Sequence, residues 1–576
     1  MKQQLFTHLF ILVVLLSIIS LAHRSANADV PDPAVDRGTS RLFLPVAIRS
    51  PTPVKPVIHS FTANPATINS GASSVLAWQV TGATSLSISP GIGAVTGNSK
   101  AVSPQSTTNY TLVAANNAGS VSAAVTVTVN GPPAPAKGFF IVPTPDIELP
   151  TSHPTVKVDP AGGVHVVFTP QSATIDNPVR PAYYAYCPAN CASPAAFKII
   201  QLGDGVDFAA LDLDPQGRPR ILMRLPVQSG AVYLFQFWGC DADCTNPARW
   251  SGDSIGYAYA RQTGWVESFI HSFALDHQGR PRFIYYDAGA NTDDPHWGVF
   301  YAYCNAGCTS PANWYETRLL DDTHARDFDL EFSPSGQPRL AFATYNSEIV
   351  AQPVIYVECN MNCENTANWA GFVLANTVSA GVTHFAEFDL EVATDGRPRL
   401  ALYTGTGSGG DLSPNTLFYL ACPAGNCALE TSWTAISPGL PTTHGEAGLA
   451  LALDGQNRPR LAYHAPMAAG FGLSYAWCDA NCEGSAAGWQ TKKLEASETV
   501  NNELPVPPWP GCPFPNCNPP IPGCTVSTWD SGVRPSLALD ADGRPRIAYD
   551  ADHHQGGACG TFIDTKLTRF MAGNKP

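Results

Sequence analysis

Apolar and polar residues alternate along most of the chain in short runs, cut at close intervals by Gly, Pro, Asn or Asp. The stretch SLALDADGRPRIAYDAD, residues 536 to 552, shows the unit: an apolar run, a four-residue turn and a second apolar run. Alternation with period two over such lengths predicts half-buried strands, and the turn between them predicts a hairpin. Asp540 stands first in that turn, where its carboxylate can bond the turn backbone. Gly543 stands fourth, where a type I turn followed by a bulge needs a left-handed residue. The unit recurs as VDPAGGVHVVF, LDPQGRPRILM, LDHQGRPRFIY, FSPSGQPRLAF, VATDGRPRLAL, LDGQNRPRLAY and LDADGRPRIAY. The position after the turn that holds proline falls at 164 (a valine), 219, 281, 338, 398, 459 and 545. Repeats of this period, each with room for several short strands, predict a seven-bladed β-propeller over residues 138–571. The run GFFIV, residues 138–142, stands before the first repeat without a partner of its own; it is expected to pair into the last blade as its outer strand.

A different pattern fills residues 56–130. SFTANPATINSG, LAWQVTGAT and TTNYTLVAANNAGS are short Val, Thr, Ser and Leu runs broken by turn residues, as a β-sandwich requires. The segment resembles bacterial immunoglobulin-like modules, which implies a spacer role. It contains no cysteine, so Trp78 is expected to pack without the inter-sheet bridge of antibody domains. The fold class expected is therefore all-β, an immunoglobulin-like β-sandwich followed by a seven-bladed β-propeller. Residues 29–55 and the proline-rich 131–137 read as linkers. Lys2, the apolar run from Leu9 to Ala22, and the small residues Ala26 and Ala28 read as a secretory signal over residues 1–28, the run being short for a membrane span.

Charge narrows the partners. With 33 basic and 47 acidic residues, the chain lacks the positive balance that a nucleic-acid or anionic-membrane partner requires. Export makes disulfides reasonable, and the sequence has 16 cysteines. Twelve form close pairs, one per repeat in the first six: Cys187 and Cys191, Cys240 and Cys244, Cys304 and Cys308, Cys359 and Cys363, Cys422 and Cys427, Cys478 and Cys482. An aromatic residue follows each pair. C-x3-C is also half of a zinc site, but each half would sit in its own blade, so local disulfides at the turn between the third and fourth strands are expected. The insertion at 498–533 is rich in proline and cysteine and reads as a cap. Cys512 with Cys517 and Cys524 with Cys559 are the pairing favoured there, one of three connectivities.

Labelling the strands of each blade A to D puts the A-to-B and C-to-D turns on one face and the B-to-C loops and blade crossovers on the other. The motif Arg544-Pro545-Arg546 lies on the turn face. Asp540 is expected to pair with Arg544 for roughly 0.2–1 kcal/mol, and the repetition of the motif marks it as scaffold. Histidines gather on the open face: His153, His271, His324, His384 and His444 all precede a strand A. Two readings compete. In one they are polar loop residues bonded locally; in the other the histidines converge around the axis as a polar or metal-binding floor, His271, His324, His384 and His444 meeting a shared ligand with Asp287 and Glu446. No cofactor and no metal ligand set is assigned.

The D-x-x-G-x-P hairpins resemble, in the turn alone, those of secreted BNR-like and sialidase-like propellers. The S-x-D-x-G-x-x-W box is absent, so no sialidase arginine is carried over. The functional expectation is a secreted or cell-surface binding or adhesion protein whose open face holds an extracellular glycan or surface protein, with no nucleic-acid partner. The alternative is a polysaccharide lyase or glycosidase, and whether the chain is an enzyme stays open at this point.

Overall fold

The computed structural model describes residues 54–69, 73–104, 107–130, 138–142, 151–170, 181–227, 231–259, 270–290, 296–321, 325–344, 353–376, 384–405, 416–442, 448–468, 470–504, 524–557 and 562–574. The expected signal segment and the 131–137 linker lie outside them, as does all but the end of the 29–55 linker. Strands between Val57 and Asn130 form one three-stranded and one five-stranded sheet. Trp78 is 5% exposed, and its indole donates to the Gly97 carbonyl at 2.9 Å.

From residue 139 onward the described strands make seven four-stranded antiparallel sheets. In the first six, chain order and spatial order coincide. The innermost strand of each sheet touches the innermost strand of the next, and Cys524–Leu539 of the last sheet touches Thr151–Val158 of the first, so the sheets close into a propeller-like ring. Phe139–Phe140 supplies the fourth strand of the last sheet, opposite Phe570 and Arg569. This is the closure expected from the unpartnered GFFIV run. Arg569 fixes it from inside: fully buried, it bonds Glu495 at 2.8 and 3.0 Å and Glu503 at 2.9 Å and donates to the Gly138 carbonyl.

The turn face explains the repeated arginines. The fourth turn residue is left-handed in every repeat, at φ 74 to 88° for the glycines and 61° for Asn457. In the second repeat Asp214 accepts from the amides of Gln216 and Arg218, then from Arg218 Nε at 2.6 Å and Arg220 Nη2 at 3.0 Å. The second arginine also reaches across the sheet. Arg220, Arg339, Arg399 and Arg460 donate Nη1 to the carbonyls of Cys240, Cys359, Cys422 and Cys478, at 2.9 to 3.4 Å, and Arg282 does the same to Cys304. In the last repeat this corrects the expected pairing: Arg546 lies 2.6 Å from Asp540, whereas Arg544 lies 3.9 Å away and turns to Asp542. An arginine two residues further along the strand returns to the same side of the sheet and has the reach to bind both turns at once.

Six local disulfides close the third-to-fourth-strand turns, at the pairs expected. The aromatic residue that follows does more than pack. Trp250, Trp314, Trp369, Trp433 and Trp489 each donate Nε1 to the carbonyl of the second cysteine, at 2.8 to 3.2 Å. Four of these rings stand edge-on to a tyrosine of the preceding sheet: Tyr184, Tyr301, Tyr356 and Tyr419. Phe197 keeps the relation in the first repeat by packing on Phe570 of the last sheet. Each such contact adds about 0.5–1.5 kcal/mol beyond burial.

The insertion is shorter than its composition suggests. Ser497–Glu503 is an α-helix, and Cys524–Leu539 is one strand paired with Pro545–Gly557. Trp529, 1% exposed, anchors that strand against the helix by donating to the Leu504 carbonyl at 3.1 Å. A buried tryptophan within an alternating run outweighs the proline-rich composition upstream. Cys512, Cys517 and Cys559 lie outside the described residues, as does the side chain of Cys524.

Candidate functional site

Strand A carries the site because it is the innermost strand of every sheet. Before it ends at the turn, its pairing with strand B breaks in four sheets, between residues 152 and 155, 326 and 329, 385 and 388, and 533 and 536. Bulges of this kind re-aim a side chain. At three of them a residue other than glycine adopts the left-handed conformation: His153 (φ 55°), Asp327 (φ 53°) and Arg534 (φ 47°); Gly448 (φ 78°) holds the matching place in the sixth sheet. Backbone strain of this sort gathers at functional positions.

These residues line one cavity of about 140 Å³ at the axis, together with Phe208, Ile270 and Glu387. All seven stand nine residues before the fourth turn residue of their own repeat: 153 against 162, 208 against 217, 270 against 279, 327 against 336, 387 against 396, 448 against 457 and 534 against 543. His271, Leu449 and Pro535, each one residue further on, complete the lining. The cavity is thus built from a single register, one residue per repeat.

Arg534 is held at the rim by Asp550 at 2.9 Å and Asp552 at 2.5 Å. His153 places its ring edge-on to Phe208, 4.7 Å between centroids, and its Nδ1 is buried without a hydrogen-bond partner. Burial, then the charges of Arg534, Lys566 and Arg224, hold its pKa well below the usual histidine value, so the imidazole is neutral. Burial also lowers His271, against the opposing pull of Asp389, whose carboxylate oxygen lies 4.0 Å from Nδ1.

Carboxyl groups from the fourth and fifth sheets continue inward. Asp329 and Asp389, seven residues before the turn glycine, are 2% and 5% exposed. One oxygen of each accepts the backbone amide of the next sheet's strand A, Leu390 at 2.6 Å and Leu451 at 2.7 Å, and this explains why a carboxylate suits the seam. Burial raises both carboxyls, and for Asp329 the nearby Asp389 adds to it. Two residues deeper, Glu331 and Glu391 share a register with Lys157 and Asp212, which lie 3.8 Å apart. Burial pushes Glu331 up to about 7 and raises Glu391 well above the usual range. At Lys157 burial is outweighed by Asp212, Glu331, Glu391 and Asp389, which keep it charged.

Of the residues singled out from sequence, His271 lies in the cavity. Asp287 does not line it; its Oδ1 accepts the amides of Tyr259 at 3.1 Å and Gly289 at 2.7 Å, latching a strand end to the neighbouring sheet. His384 begins a strand A, with its side chain outside the described residues, as are His324, His444 and Glu446 entirely. His153, grouped with the open-face histidines but not among the ligand residues, also lines the cavity, and Asp327, Glu387 and Arg534 were missed as site residues. Searching by residue type finds histidines at scattered offsets, whereas superposing the repeats on their turns and reading the column nine residues back finds all seven positions.

The closed succession of four-stranded sheets around strand A defines a β-propeller-like protein. No known protein family matches the sequence, and no curated protein matches it. Among solved structures it is similar to an alpha-L-arabinanase of Penicillium chrysogenum, at 15% identity over 58% of this chain and 94% of that one, with a TM-score of 0.38. It is also similar to an alpha-L-arabinofuranosidase of Fusarium graminearum, at 7% identity over 76% and 98%, with a TM-score of 0.39. A third is the NanB sialidase of Streptococcus pneumoniae, at 9% identity over 87% and 83%, with a TM-score of 0.35. At such identities and scores these likenesses say nothing about what this axis does.

Proposed function

We propose that the chain is an exported glycan-binding protein: an immunoglobulin-like module followed by a seven-bladed propeller whose axial mouth takes the ligand. The observation that carries this reading is the column of seven unlike residues, His, Phe, Ile, Asp, Glu, Gly and Arg, on a scaffold whose turns are nearly identical. A sugar suits that lining. Carboxylates and a guanidinium exchange hydrogen bonds with hydroxyls, and apolar side chains such as Phe208 and Ile270 cover the carbon face of a ring. The cavity is small, so it takes a chain end or a single sugar unit. Six disulfides support an oxidising compartment. Among the described residues no helix is long and apolar enough to cross a membrane.

A second reading is hydrolysis or elimination at the same mouth. It is favoured by Asp327 and Glu387, two carboxyl groups in the lining of the cavity, as acid–base cleavage of a glycoside requires. One experiment addresses both. The mature chain is assayed against a panel of neutral, acidic and amino-sugar polysaccharides for retention and for released ends. Retention without turnover supports the binder, turnover supports the enzyme, and neither on any polymer rejects a glycan ligand.

A further inference from the structure

Beneath the mouth, one side-chain set has the chemistry of a metal centre. His271, Asp329 and Asp389 come from three consecutive sheets, and each offers a ligand atom within 4.8 Å of the other two. With bonds of about 2.0–2.2 Å, tetrahedral ligand atoms lie about 3.3–3.6 Å apart, so binding one ion draws the three groups together by up to about 1.5 Å. Both aspartates are at least nine-tenths buried, and each has one oxygen committed to a backbone amide of the next sheet. That bond orients the carboxylate as an outer-shell partner orients a metal ligand.

The same tier holds a further buried polar atom without a partner. Thr155 occupies the register of Asp329 and Asp389, seven residues before its own turn glycine. It is 6% exposed, and its Oγ1 has no hydrogen-bond partner. The matching hydroxyl in the last sheet, Ser536 Oγ, accepts the Val156 amide at 3.0 Å, so this register normally engages its polar atom. One tier up, His153 Nδ1 is likewise buried without a partner in the wall of the cavity. His271 lies in the same wall and connects the set to the mouth.

We propose that His271, Asp329 and Asp389 bind one divalent transition-metal ion, of the Mn2+ or Zn2+ kind, at the floor of the axial cavity. One imidazole nitrogen with two carboxylates suits such ions, whereas Ca2+ takes six to eight oxygens. The ion is shared by two buried, neighbouring carboxyl groups and one imidazole, and its open positions face the cavity.

The test needs no glycan, so its failure is distinct from failure of the glycan reading. The full mature chain is stripped with chelator and dialysed, then titrated separately with Mn2+, Zn2+ and Ca2+, with bound metal measured per chain. One Mn2+ or Zn2+ per chain is expected. Asp389→Asn keeps an oxygen for the Leu451 amide, and its affinity should fall by about 10- to 100-fold or more. His271→Gln, at a side chain that is 29% exposed, gives a second variant outside the aspartate seam, and it should weaken binding likewise. Failure of the native chain to take up stoichiometric Mn2+ or Zn2+, uptake of Ca2+ alone, or undiminished uptake by His271→Gln overturns the assignment.

Discussion

The turn face and the axial mouth are built by the same strands and obey opposite rules. On the turn face the repeats carry similar residues, and each of three devices recurs in five of the seven: an aspartate collects the turn amides, an arginine ties two turns together, and an indole caps a cysteine carbonyl. At the mouth, nine residues away along each strand, seven positions hold seven different residues. Redundancy marks what every sheet must do to join the ring. Variety marks what the ring as a whole does once, and the two faces should therefore fail in different ways.

The largest expected effect is on the turn face. Arg460 is 2% exposed and bonds Asp454, Asp479 and the Cys478 carbonyl. Arg460→Ala leaves Asp454 buried with half its charge partners and should destabilise the chain by about 3–5 kcal/mol. Thermal unfolding measures it, and glycan retention below the transition should be unchanged. A loss below about 1 kcal/mol would show that the arginine is not the tie between turns.

Reduction of the six disulfides comes next. Their loops span only four or five residues, so each restricts the unfolded chain less than the ~3 kcal/mol of a 15-residue loop. Hydrogen exchange after reduction should show the cysteine turns opening while strands A and B remain protected. Simultaneous exchange of the whole ring would contradict this.

A third effect, from the axis, is pH-dependent and has the opposite sign to ordinary acid denaturation. Glu331 in the folded chain sits at about 7, above its ordinary 4.5, so the folded state binds more protons than the unfolded state between those values. Its contribution is therefore most favourable below about pH 4.5 and is lost as pH rises to about 7. Measured in chelator, Glu331→Gln should flatten the stability profile across that window; an unchanged profile would remove Glu331 as its source.

The hairpins, the disulfides and the closing strand were legible because each rests on local chemistry: Asp and Gly at fixed turn positions, cysteines four or five apart, and an apolar run with no neighbour. The second arginine of each Arg-Pro-Arg was read only as a turn residue, since its cysteine carbonyl lies about twenty residues away and nothing local announces it. The mouth was half legible. His271 was found as a histidine near strand A, but Asp327, Glu387 and Arg534 are ordinary polar residues in sequence, and only their common distance from the turn gathers them. The Pro-rich insertion misled at its ends, where Ser497–Glu503 turns helical and Trp529 draws residues 524–533 into a strand.

The measurement that tests the division most directly is retention of three forms of the full chain on whichever polysaccharide of the panel holds the native protein, with melting temperatures read alongside. The forms are native, Asp327→Asn with Glu387→Gln, and Arg399→Ala. Asparagine tolerates the left-handed backbone at 327, and substitutions outside the packed core shift stability by about 0.5 kcal/mol or less. The double variant should therefore lose retention and keep its melting temperature. Arg399→Ala, which breaks a tie on the turn face to Cys422 and Glu483, should keep retention and melt lower. A double variant that is retained like the native chain, or an Arg399→Ala form that folds normally and no longer binds, would contradict the placement of function at the axial mouth.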